Sequence, residues 1–212
     1  MLEIRKFIGT DPSFSGFGFS QINLDNKTVW FREFSVDVKH GAFAEISEAA
    51  VEMSDILERE VDAMGAWVGM EIPPVSGMYA VKLWALDSRV YWHLRGETEN
   101  IWLFNVPYLK FINSKYGKNY SKKDTMKMIE DILEIFKEYK FEIIQDLKDK
   151  RGKPRKLTSN ECDSFLYCIR IFVKYSLEYG KNADLVSEIL NINEKFTEEK
   201  ETKIGKKVEK ND

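Results

Sequence analysis

The sequence predicts one mixed α/β domain. Three observations carry that reading: three strand-like apolar runs open the chain, a long amphipathic stretch follows, and short strands then alternate with helices. Successive strands joined by short turns pair antiparallel, whereas strand–helix–strand units extend a sheet in parallel. The expectation is a five-stranded sheet, antiparallel at its beginning and parallel in its continuation, with helices on both faces.

Taken in order, Ile4–Thr10 is a largely apolar run that ends at Asp11 and enters the turn-forming stretch Pro12-Ser-Phe-Ser-Gly-Phe-Gly. Phe17–Asn23 and Thr28–Phe34 read as strands joined by the turn Asp25-Asn26-Lys27. Phe43–Met64 has helical spacing, with apolar residues at Phe43, Ile46, Ala50, Met53, Leu57, Val61 and Met64, and Gly65 as its stop. Ala66–Met70 is a short strand delivering Glu71, ended by Pro73-Pro74. Val75–Leu94 is apolar on most sides, so it predicts a helix buried on more than one face, in the core or against a partner subunit. Ile101–Val106 is a further strand, closed by Pro107, and Ser121–Tyr139 is a helix with a Ser cap and Met126, Ile129, Ile132, Leu133 and Phe136 on one stripe. Phe141–Lys156 has no clear periodicity and turns strongly basic. Ser159 or Asn160 caps a helix running through Tyr179, and a short one follows at Ala183–Leu190.

At 212 residues with 43% apolar content, the chain suffices for one well-buried domain, placed over residues 1–192. Residues 193–212 are Lys/Glu-rich, poor in apolar side chains and expected to be disordered. No apolar run is long enough to cross a membrane, and Met1-Leu-Glu-Ile-Arg-Lys lacks the pattern of a secretory signal, so a cytoplasmic, intracellular protein is expected. Cys162 and Cys168 read as small buried apolar residues on one helix. With only His40 and His93 beside them, a structural zinc site is not expected. Any metal must therefore rest on carboxylates, which points to magnesium or manganese. The net charge of −3 argues weakly against nucleic acid, but Asn105–Asn160 holds fourteen Lys/Arg against eight Asp/Glu. Within it Lys148, Lys150, Arg151, Lys153, Arg155 and Lys156 surround Gly152 and Pro154, a composition suited to phosphates or simply to solvent.

Three acids stand in distinctive places: Asp11 ends the first strand, Glu71 ends the fourth, and Asp163 lies on a late helix just after Glu161. In α/β sheets, sites gather at the carboxyl ends of strands. Carboxylates brought together there repel unless a cation neutralises them, so a cluster of three or four suits one or two magnesium ions. Singly, Asp11 before Pro-Ser fits a turn as well as a site, and Asp163 fits an acid answering a helix dipole. The ordered set carries the reading.

These segments also resemble a known family. Ile8-Gly-Thr-Asp11-Pro-Ser-Phe-Ser-Gly16-Phe-Gly-Phe is similar to the opening motif of RuvC-type Holliday junction resolvases, and Val68-Gly-Met-Glu71-Ile-Pro to their second acidic motif. Asn105-Val-Pro107-Tyr-Leu-Lys110, Gly117 and Ser121-Lys122-Lys123-Asp124 resemble the family's Pro–Lys–Gly–Lys stretch, and Glu161-Cys-Asp163-Ser-Phe-Leu-Tyr its closing acidic helix. The resemblance runs in order from about Ile4 to Ile171. It implies an RNase H-like nuclease that holds two Mg2+ or Mn2+ ions on Asp11, Glu71, Glu161 and Asp163, with Lys110 and Lys123 near the scissile phosphate. It further implies a homodimer that binds four-way junctions and nicks two strands symmetrically; the apolar Val75–Leu94 offers a dimer surface, and Lys122 and the basic segment are expected to contact DNA phosphates. Two positions depart from the pattern, as in a divergent, phage-like member. Asn160 stands where the family has a further Asp, so Glu161 is the substitute fourth acid, and Pro74 replaces an aromatic wedge for which only Met78 or Tyr79 could stand in. The rivals are an actin- or sugar-kinase-like ATPase module, for which the second Gly-rich phosphate loop and the chain length are missing, and a catalytically inactive DNA-binding protein.

Overall fold

The computed structural model describes residues 4–38, 43–72, 80–104, 122–145 and 155–192. Its strands are β1 (Lys6–Asp11), β2 (Phe17–Asn23), β3 (Thr28–Phe34), β4 (Trp67–Glu71), β5 (Ile101–Phe104) and β6 (Glu142–Gln145). They form one sheet in the order β5-β4-β1-β2-β3-β6. The pairs β1–β2 and β2–β3 are antiparallel, and β1–β4, β4–β5 and β3–β6 are parallel. The sheet thus has six strands, not five. The extra one, β6, lies in the segment that showed no periodicity: four residues, Glu-Ile-Ile-Gln, too short and too uniform to display a strand's alternation.

The alternation of side chains along the strands builds two cores. Phe7, Ile22, Val29, Phe31 and Trp67 point to one face, where they meet α3 (Lys122–Glu138) and α4 (Ser159–Tyr179). Ile8, Phe17, Phe19, Phe34, Val68 and Met70 point to the other, under α1 (Phe43–Glu60) and α2 (Ala80–Glu97). On the first face Phe7 packs edge-on to Phe172 at 5.2 Å between ring centres. Complete burial of such a side chain contributes about 1.5–3 kcal/mol.

At Gly9, Gly18 and Gly69 the helix α4 comes down directly onto strand backbone. A Cβ on Gly9 would collide with the Ser164 carbonyl oxygen and the Cys168 amide, and one on Gly18 would collide with the carbonyl of Asn160. Only glycine permits that approach. The helix is capped by Thr158, one residue before the expected cap, in a full capping box with Glu161, and it ends at Gly180 in the left-handed conformation. A short helix over 183–192 follows. Cys162 and Cys168 are free and buried, and the Cys168 thiol donates to the Phe7 carbonyl at 3.1 Å.

On the opposite face, α1 ends at Glu60, a turn before Met64. The helix α2 buries a single stripe (Leu86, Asp87, Val90, Leu94), not several faces, and leaves Val81, Trp84 and Trp92 exposed. Residues 75–79 of the expected helix, Met78 and Tyr79 included, lie outside the described residues, as do Lys110, Lys150, Arg151, Lys153 and the tail 193–212. So do the side chains of Lys122 and Lys123. Among the described residues no helix is long and apolar enough to cross a membrane.

Candidate active site

The acids are brought together by strand register and alternation. Parallel pairing of β1 with β4 runs from Phe7 opposite Trp67 to Thr10 opposite Met70, and the same offset sets Asp11 beside Glu71. Asp11 shares its face with Phe7 and Gly9, and Glu71 shares its face with Trp67 and Gly69. That face is the one α4 covers: the Tyr167 carbonyl lies 2.9 Å from where a Cβ on Gly69 would sit. Asp163 is one helical turn before Tyr167 and therefore on the same side of α4.

The electrostatics follow from this packing. Burial, a hydrogen bond shared with the Glu71 carboxyl, and the charges of Glu71, Asp163 and Asp87 push the Asp11 carboxyl up to about 9. Two carboxyls can share a hydrogen bond only if one carries a proton. Asp87 is pushed up to about 8, first by burial and then by the charge of Glu71. The Tyr167 hydroxyl is driven far above its ordinary range by burial and then by Glu71, Asp11 and Asp163, so it remains a neutral phenol facing the acids. The Tyr167 ring is fully buried and stacks on Phe104 with 5.8 Å between ring centres, and the Arg170 guanidinium covers Phe104 at 4.3 Å.

Glu161, expected among the metal ligands, is occupied elsewhere. It is 1% exposed, takes two 2.7 Å hydrogen bonds from the Arg155 guanidinium, and accepts from the Thr158 backbone N–H at 2.8 Å. The Thr158 hydroxyl donates to Glu33 on β3. Arg155, expected on DNA, instead has its guanidinium fork engaged by the buried Glu161 carboxylate. Asn160 lies over the hairpin, its amide nitrogen filling the space beside Gly16. Of the expected DNA contacts, Lys156 alone is described and exposed.

Two members of this neighbourhood, Asp87 and Tyr167, escaped the sequence reading. Tyr167 follows Asp163 by four residues, the spacing that puts two helical side chains on one face. Asp87 stands in register with Val90 and Leu94 on the buried stripe of α2, and an acid on an apolar stripe was the available signal.

Among the described residues, no three histidine, cysteine or carboxylate side chains already stand at the spacing of a formed metal site. The donor chemistry nevertheless fits a hard divalent cation. The converging groups are all oxygen acids, and Oδ1 of Asp87 is buried with no hydrogen-bond partner. The thiols of Cys162 and Cys168 are pushed up to about 12 by burial and are not available as thiolate ligands.

No family model and no curated protein sequence matches the chain. Among solved structures, RuvC of Thermus thermophilus superposes with a TM-score of 0.50 at 12% identity, over 83% of this chain and 97% of its own. T. thermophilus RuvC in complex with Holliday junction substrate gives 0.47 at 12% identity, over 78% and 92%. The Mn-soaked human cytomegalovirus terminase nuclease domain gives 0.38 at 10% identity, over 79% and 82%. Together with the six-stranded mixed sheet and its flanking helices, the likeness to the first identifies the architecture: this chain has the RuvC-type, RNase H-like α/β fold.

Proposed function

We propose that the chain is a divalent-metal-dependent endonuclease of branched DNA, resolving four-way junctions by symmetric paired nicks from a homodimer. The observation that carries this reading is the convergence of Asp11, Glu71 and Asp163, from two neighbouring strand ends and the helix that covers them. It agrees with the motif resemblance and with the RuvC-type fold.

In this reading Asp11, Glu71 and Asp163 hold Mg2+ or Mn2+, with two ions per site. When bound, the ions supply an activated water and stabilise the departing 3′ oxygen of phosphodiester hydrolysis. The chain's own residues shape the place. Tyr167 and Phe104 wall the acids against the core and exclude water behind them, and α4, seated on strand backbone, fixes where Asp163 stands. Lys123, at the start of α3, balances charge at the scissile phosphate. Lys110, Lys122, Lys150, Arg151, Lys153 and Lys156 contact phosphates, which position DNA without reading its sequence. The exposed Val81, Trp84 and Trp92 on α2 support the homodimer.

The test is cleavage of labelled four-way, three-way, flap and RNA–DNA hybrid substrates in Mg2+ and in Mn2+, beside Asp11→Asn. Paired nicks near the branch of the four-way substrate, absent in the variant, are expected. Cleavage of the hybrid alone would move the activity to an RNase H, and cutting that persists in Asp11→Asn would remove the site.

A further inference from the structure

The last row of the sheet carries acids on both sides of a glycine. Lateral pairing sets Asp11 opposite Gly18 and Gly18 opposite Glu33, so β1, β2 and β3 present these three on one face. Glu33 therefore shares a row with Asp11, two strands and about 10 Å away. The middle of the row is bare, and the first turn of α4 lies on it: the Asn160 carbonyl oxygen is 2.1 Å from where a Cβ on Gly18 would sit. Asp163 follows Asn160 by three residues, one turn further along the same helix.

Glu33 is half-buried and engages that helix at its cap. Its Oε2 accepts from the Thr158 hydroxyl. Its Oε1 and the Asn160 amide nitrogen both lie within 3.0 Å of the point that a Cβ on Gly16 would occupy. The Thr158 hydroxyl also accepts from the Glu161 N–H at 3.2 Å. In return the Glu161 carboxylate accepts from the Thr158 N–H at 2.8 Å, and the Arg155 guanidinium holds it through two 2.7 Å bonds. A capping box needs only Thr158 and Glu161. The bond to Glu33 satisfies no backbone group of the helix; it ties the cap to a strand 125 residues earlier in the chain. Contact with the bare glycines stops α4 from coming closer, but contact alone does not stop it from sliding or turning about its axis. A directed hydrogen bond does, and this one acts within two turns of Asp163.

We propose that Glu33 is a positioning residue for Asp163. Through Thr158 it sets the rotation and height of the first turn of α4, and Arg155 with Glu161 holds the same turn from the other side. This rests on the metal-dependent reading above and deepens it, because it names what keeps the helical acid in line with the two strand acids.

The experiment compares Glu33→Ala, which removes the acceptor, with Glu33→Gln, which keeps one. Hydrogen exchange along α4 is read in the metal-free chain. Single-turnover cleavage of the labelled four-way substrate is read across a Mg2+ series, with junction affinity beside it. In Glu33→Ala we expect faster exchange in the first two turns of α4 and wild-type exchange in its last two. We further expect the rate at saturating Mg2+, or the Mg2+ affinity, to fall by about tenfold or more, the scale for partners that orient ligating side chains. Junction affinity stays at the wild-type level, and Glu33→Gln restores the exchange and the cleavage. Wild-type cleavage and Mg2+ response in Glu33→Ala would overturn the positioning role and leave the metal-dependent reading standing. Unchanged exchange in the first turns would overturn it too, as would a loss in folded Glu33→Gln equal to that in Glu33→Ala. A wild-type chain that cuts none of the substrates in Mg2+ or Mn2+ would overturn both readings. Should Glu33→Ala not fold, Glu33→Thr, which suits a strand but is too short to reach Thr158, takes its place in the same measurements.

Discussion

The two faces of the sheet are covered by helices of similar length and opposite character. On one face α4 is seated against strand backbone, capped at both ends, and buried along most of its 21 residues. On the other, α2 rests on α1 and the sheet through one stripe and turns two tryptophans outward. Each helix carries a buried acid, Glu161 on α4 and Asp87 on α2, and among the described residues main-chain contact with the strands is seen for α4. A helix held by backbone has little freedom to shift, whereas one held by side chains repacks at modest cost. The first face is held by strand backbone, and the second by side chains that leave Trp84 and Trp92 exposed.

The largest expected effect strikes the acids themselves. Asp11→Asn should reduce cleavage by about a thousandfold or more, as losses of a central charged catalytic group do. Junction affinity should stay at wild-type level or rise, since the proposed phosphate contacts are untouched. Single-turnover cleavage and a binding titration read the two separately, and a parallel loss of both in a folded variant breaks the division of roles.

Next comes the seating of α4. Gly9→Ala places a methyl group into the Ser164 carbonyl and should cost roughly 3 kcal/mol, the scale of overpacking in a close-packed core. Urea unfolding measures it, and an unchanged midpoint would mean that α4 is as adjustable as α2.

A smaller effect is the dependence on pH. The folded-state values of Asp11 and Asp87, about 9 and about 8, lie above the ordinary 3.8. The folded chain therefore holds protons that the unfolded chain releases, so this contribution is complete below about pH 4 and is lost as pH rises through 8 and 9. Without metal, the unfolding temperature should fall between pH 6 and 9 by roughly 5 °C, and Mg2+ should flatten the slope by replacing protons with a cation. A slope indifferent to Mg2+ would separate the acids from any ion.

The smallest effect belongs to the outer surface of α2. Trp92→Ser should change the stability of the isolated chain by less than about 0.5 kcal/mol, as exposed substitutions do. If α2 forms the dimer contact, the same change should shift sedimentation toward monomer. An unshifted dimer would move the interface elsewhere.

Much of this was legible in the sequence because the signals are local. The first three strands, the strand that delivers Glu71 and the long closing helix each announce themselves by periodicity and by turn residues. What escaped depends on distant partners. The strand β6 exists because β3, more than a hundred residues earlier, offers a free edge, and four residues without alternation say nothing of that. Glu161 and Asp163 are two residues apart and point to different sides of a helix, so sequence alone could not tell which turns to the acids and which to Arg155. Arg155 sits in a run of positive charge that composition reads as a solvated or phosphate-binding surface, yet a single buried partner decides its role.

The seating of α4 also bears on how this molecule tolerates change. Because the helix meets the sheet through main chain, the spacing of Asp163 from the strand ends is set by the thickness of peptide groups, which mutation does not alter. Exposed positions on the outer side of the helix, such as Lys174 and Leu177, can change while α4 keeps its seat, provided Gly9 and Gly18 stay bare. For an engineer, that leaves the solvent face of the helix open to stabilising substitutions, while the buried stripe, the cap and the two glycines under it must stay as they are.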